Sequence, residues 1–138
     1  MKTIFLIPIV LLISFASDAL ARESVLVVAN VDDELSLSKQ EVRNLFMGGT
    51  VDYDLTAIEL PPENEVRILF NTKVVGLTEA RIQSYWAQMR FAGRKKPPQQ
   101  LDSVESVVSF LRDNKGAIAY VPAGTDVPPD LKVVYQVE

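Results

Sequence analysis

Four basic side chains, Arg90, Arg94, Lys95 and Lys96, fall within seven positions of a chain whose 18 acids outnumber its 14 bases. Cations at that density suit an anionic ligand or an acidic partner surface. They also suit a solvated helix end, where the helix dipole favours positive charge. A second group, Glu63-Asn64-Glu65 followed by Arg67, stands where a helix begins after Pro61-Pro62. Free backbone N–H groups at such a start attract anions, although two carboxylates there complement the dipole themselves. Arg67 either faces solvent or forms a buried ion pair with Glu63 or Glu65.

Other groupings are weaker. Asp32-Asp33-Glu34 reads as a solvated turn rather than a cation site, because three adjacent carboxylates cannot all face one ion. Asp52, Asp54, Thr56 and Glu63 match positions 1, 3, 5 and 12 of a calcium loop. Its sixth position, however, is Ala57 where the sharp turn takes glycine. No metal and no cofactor is expected. The chain has neither cysteine nor histidine, which removes the usual zinc and copper ligands and the Ser-His and Cys-His nucleophile pairs. No local motif suggests paired catalytic carboxylates or a serine-lysine arrangement, so no enzyme is expected. A net charge of −4 argues against general nucleic-acid binding.

The N-terminus reads as an export signal. Lys2 precedes the apolar run Ile4 to Phe15, and Ala19-Leu20-Ala21 has the small-x-small form of a cleavage site. The run is short of the ~20 residues of a spanning helix. Residues 1–21 are therefore expected to be a signal peptide, leaving 22–138 as one periplasmic domain with no transmembrane segment. Without cysteine it has no disulfide, and its core must hold it alone.

The elements that would position these groups alternate. Val25 to Ala29 is a short apolar run that suits a buried strand. Ser38-Lys-Gln-Glu41 has capping-box spacing, with Val42, Leu45 and Phe46 behind it and Gly48-Gly49 as the stop. Leu55 to Leu60 suits a strand, and Glu63 to Val75 a helix presenting Val66, Leu69, Phe70 and Val74. Thr78 caps the next helix, whose stripe of Ile82, Tyr85, Trp86 and Met89 reads as core; Gly93 closes it. Asp102-Ser-Val-Glu105 repeats the capping-box spacing before Val104, Val107, Val108 and Leu111. Ala117 to Val121 and Leu131 to Val137 complete the strands. This alternation predicts an α/β layer fold.

Together these landmarks resemble a known family. Leu37-Ser-Lys-Gln-Glu-Val-Arg-Asn-Leu-Phe-Met-Gly48 comes first, then Arg67-x-x-Phe70, Tyr85-Trp86, Phe91-x-Gly93 with Pro97-Pro98, and Gly116-Ala-Ile-Ala-Tyr-Val121. In that order and spacing they are similar to the substrate-binding proteins of bacterial phosphate ABC transporters, in short variants with one lobe. The resemblance implies an α/β single lobe of the periplasmic-binding-protein-like (type II) fold, with a mixed sheet flanked by helices. It also implies phosphate or another small oxyanion bound at a helix start. Leu60-Pro-Pro-Glu-Asn-Glu-Val-Arg67 stands where the family carries serine, glycine and threonine donors, which leaves Asn64 and Arg67 as ligand-binding residues. The alternative is an accessory protein without ligand, docking on an envelope sensor, transporter or other membrane assembly. Arg94, Lys95 and Lys96 would then lie at the contact.

Overall fold

The computed structural model describes residues 24–137. The expected signal peptide, residues 1–21, lies outside the described residues.

Among the described residues, five strands and four α-helices follow one another in chain order. They are β1 (Val25–Ala29), α1 (Lys39–Met47), β2 (Thr56–Glu59), α2 (Glu65–Phe70), α3 (Glu79–Phe91), β3 (Gln99–Gln100), α4 (Val104–Asp113), β4 (Ala117–Pro122) and β5 (Lys132–Gln136). The strands form one mixed sheet in the order β3-β2-β4-β1-β5. β2 runs parallel to β3 and β4, whereas β1 runs antiparallel to β4 and β5. This bears out the α/β reading and the mixed sheet.

Local chemistry accounts for most boundaries. Ser38 and Glu41 close the expected capping box on α1, and Gly48 ends that helix in the left-handed region at φ 72°. Thr78 caps α3. On α4 the cap is Ser103 rather than Asp102, its hydroxyl accepting from the Ser106 N–H. The helix expected from Glu63 begins at Glu65, since Asn64 is itself the N-cap. Its second half widens into a π turn, Asn71–Val75, which buries Asn71, Val74 and Val75 before Gly76 stops it. β3 was not expected: two exposed glutamines carry no periodicity, and only the neighbouring β2 makes them a strand.

The core lies between the sheet and its helices. β4, at the sheet centre, is buried from Ala117 to Val121, and Trp86, Ile82, Val107 and Leu111 bring α3 and α4 onto the core. Phe46, Phe70 and Tyr120 tie α1, α2 and β4 together, with Phe70 stacked on Tyr120 at 4.2 Å between ring centroids. Such aromatic pairs add about 0.5–1.5 kcal/mol beyond their burial. No helix among the described residues is long and apolar enough to cross a membrane.

Candidate functional site

Arg67 lies on the inner face of α2, in line with Phe70 and Val74, and is only 2% exposed. A charge carried inward by a helix must find partners or destabilise the fold. Arg67 finds two carboxylates and a carbonyl. Its Nε donates to Glu79 Oε2 at 3.1 Å and its Nη2 to Glu79 Oε1 at 2.6 Å, a bidentate pair. Its Nη1 donates to the Leu60 carbonyl at 2.9 Å and stands 3.0 Å from Glu59 Oε1. The partners are thus Glu59 at the end of β2 and Glu79 at the start of α3. Glu63 and Glu65, nearer in sequence, are exposed.

A second layer holds the carboxylates. Asn71 Nδ2 donates to Glu79 Oε2 at 2.9 Å, and Gln83 Nε2 to Glu79 Oε1 at 2.7 Å. Gln100 on β3 reaches Glu59 Oε1 at 3.5 Å. Beside them the Tyr120 hydroxyl accepts from the buried Leu60 N–H at 3.1 Å. No buried side-chain polar atom among the described residues lacks a partner.

The two acids respond differently to this setting. Burial raises the pKa of Glu59, and its single contact with Arg67 and the long one with Gln100 only partly offset that. Burial also works against ionised Glu79. Hydrogen bonds from Arg67, Gln83 and Asn71 outweigh it, and its pKa is lowered. For Arg67 burial disfavours the cation, but Glu79 and Glu59 more than restore it. Burial pushes the Tyr120 hydroxyl well up, so it stays protonated. With both carboxylates ionised, the cluster carries one positive and two negative charges.

Asn64, the other expected ligand donor, has its Oδ1 engaged by the Val66 N–H at 2.9 Å. Glu65 in the first turn already complements the positive end of the helix dipole there. The depression along it, about 490 Å3, is lined by Ser24, Glu65, Val66, Ile68, Leu69, Thr72 and Pro122, with no cation. Asn64 and Arg67 lie on the same short helix start, but they do not converge on a shared opening.

The basic loop is arranged differently. Arg90, Arg94, Lys95 and Lys96 are all exposed, and with Gly93 they surround a depression of about 330 Å3. None of the four lies within ion-pair distance of an acid among the described residues. The structure does bring these together.

The fold is similar to that of a solved transport receptor. An ABC-type phosphate transport receptor from Vibrio cholerae superposes with a TM-score of 0.59 at 14% identity, over 80% of this chain and 45% of the receptor. The shared property is a binding-protein-like fold. This chain spans less than half the length of that receptor. No family model matches the sequence, and no curated protein matches it.

Glu59, Glu79 and Asn71 are the residues that sequence reasoning missed. One signal was present: Arg67 shares the helical stripe of Phe70 and Val74, and a cation on a buried stripe requires an anion from another element. Which anion was not written there. Glu59 comes from a strand and Glu79 from the next helix.

Proposed function

We propose that this chain is a single lobe of the type II periplasmic-binding-protein-like fold, exported to the envelope, that works as a non-catalytic accessory domain. It docks on a membrane assembly such as a sensor or transporter, with Arg94, Lys95 and Lys96 at the contact. The observation carrying this reading is the Glu59–Arg67–Glu79 cluster. The one arginine available to an oxyanion at the α2 start already has every guanidinium nitrogen engaged, and two carboxylates surround it. An incoming phosphate would have to displace Glu79 and lie beside Glu59. Four cations without an ion-pair partner among the described residues are instead clustered at the basic loop.

A second reading keeps the small-anion ligand, phosphate or another oxyanion held by Asn64 and Arg67. The likeness to a phosphate transport receptor favours it. Calorimetric titration of the unsubstituted chain with phosphate at low salt separates the two. Micromolar binding would establish the second reading and end the first. Arg67→Ala is a poor control here, because it strands the buried Glu59 and the half-buried Glu79.

Docking has its own test. The chain, as the producing cell processes it, is sedimented with envelope membranes beside an Arg94→Glu/Lys95→Glu/Lys96→Glu variant. Recovery lost in the variant supports the loop as the contact; equal recovery removes it.

A further inference from the structure

Phe91 is the last residue of α3 and is 97% exposed. No other large apolar side chain among the described residues comes near that exposure: Ile68 on α2 is at 51%, Val133 on β5 at 43% and Tyr53 at 39%. A phenylalanine left this open gains nothing for the fold. Along the chain it stands between Arg90 and the exposed run Ala92 to Lys96, which holds three of the four loop cations and no large apolar residue.

The segment bearing it is well held. Gly93 takes a left-handed φ of 65°, its N–H donating to the Arg90 carbonyl and the Arg94 N–H to the Met89 carbonyl, both at 3.0 Å. Those two bonds satisfy helix-end carbonyls and fix the turn. An apolar residue commonly follows the glycine of such a turn and packs back on the helix. Here Arg94 occupies that place and is exposed. The stem of Lys95 lies close over Gly48, so its aliphatic part packs while its ammonium stays outside. From Ala80 to Leu101 the sequence contains no acid, although the chain has 18. An anionic surface therefore meets no carboxylate from this stretch.

We propose that Phe91 with Arg90, Arg94, Lys95 and Lys96 forms a docking site for an anionic phospholipid surface. This rests on the docking proposed above and puts the lipid surface of the membrane, in place of a protein assembly, at the contact with these residues. The cations meet lipid phosphates in and around the depression they line, while the Phe91 ring enters the boundary between headgroups and acyl chains. The composition selects lipid over protein. Protein interfaces deplete lysine and bury their aromatic anchors within an apolar patch. A lone aromatic ring among lysines and arginines is the pattern of a membrane-surface anchor. The acidic remainder of the chain orients this face toward a negative surface.

The test is co-sedimentation of the protein, as the cell processes it, with phosphatidylcholine vesicles and with mixed phosphatidylcholine–phosphatidylglycerol vesicles. Envelope membranes are run alongside. The expected result is binding to the mixed vesicles alone, weakened by salt. Arg94→Gln/Lys95→Gln/Lys96→Gln should lower partitioning roughly a hundredfold, from about fivefold per basic residue. Phe91→Ala should lower it about tenfold, from the loss of one buried aromatic ring. Phe91→Trp should retain binding, with fluorescence that shifts to the blue on vesicle addition. All these variants share one N-terminus, so its apolar run cannot produce the difference. Equal binding to both vesicle types, or variants indistinguishable from the parent, would overturn the proposal. Loop-dependent recovery with envelope membranes but none with mixed vesicles would overturn it too, and would leave docking standing with a protein as partner. No binding to either would end both.

Discussion

Arg67 and Glu79 meet side-on across 12 residues of sequence, Nε to Oε2 at 3.1 Å and Nη2 to Oε1 at 2.6 Å. The pair joins α2 to α3, while the 3.0 Å contact with Glu59 joins both to the sheet. A cation that resembled a ligand donor is the point where three elements are fastened.

Glu79→Ala should therefore destabilise the protein by about 1.5–3 kcal/mol, the range for hydrogen bonds to a charged group, since Arg67 keeps Glu59 and the Leu60 carbonyl. It leaves Arg67 with one carboxylate and frees the Asn71 and Gln83 donors. Urea unfolding measures the loss. A change below about 1 kcal/mol, as for an exposed pair, would show that the cluster is solvent-screened.

The two acids should give opposite pH signatures around their ordinary value of 4.5. Glu79 has a lowered pKa when folded, so its stabilisation is present above 4.5 and lost as pH falls through the folded value. Glu59 has a raised one, so its contribution is full below 4.5 and lost as pH rises through its folded value. Glu79→Gln should show its largest deficit at neutral pH and converge on the parent in acid. Glu59→Gln should gain on the parent as pH rises above 4.5. Urea midpoints across a pH series decide this, and parallel curves for both variants would contradict it.

Tyr120→Phe should cost about 1–3 kcal/mol, the penalty of leaving the buried Leu60 N–H without its acceptor. Stacking on Phe70 survives the change, so near-ultraviolet circular dichroism should keep its aromatic signature. A loss of that signature would mean that the hydroxyl positions the ring as well.

Gly48→Ala and Gly76→Ala test space against backbone. Both glycines have positive φ, 72° and 74°, and each substitution should cost about 1–2 kcal/mol for the left-handed conformation. At Gly76 a Cβ meets nothing within 4 Å, whereas at Gly48 it comes within 2.9 Å of Lys95 Cδ and 3.3 Å of the Trp86 ring. Gly48→Ala should thus be the more damaging in thermal unfolding. Equal losses would show that the Lys95 stem and the Trp86 ring simply yield.

Much of the fold was legible because its determinants are local. The Ser38–Glu41 box, the Thr78 cap, the glycine stops and the apolar stripes each lie within one turn or strand, where backbone hydrogen bonding and burial act on near neighbours. The basic loop was legible for the same reason: charge density is a property of consecutive residues. The absence of histidine and cysteine likewise limited the available chemistry before any fold was considered.

Tertiary structure decided the rest. Arg67 is a structural cation only because β2 delivers Glu59 and α3 delivers Glu79 to the same buried place. Coulomb attraction in a desolvated site depends on distance in space, not on separation in sequence. Glu63 and Glu65 were the nearer acids along the chain, yet the helix start points them into water. Gln99 and Gln100 became a strand only because β2 offered an edge. Phe91, which an apolar count assigns to no particular place, is left outside by where α3 ends, at the start of the basic loop.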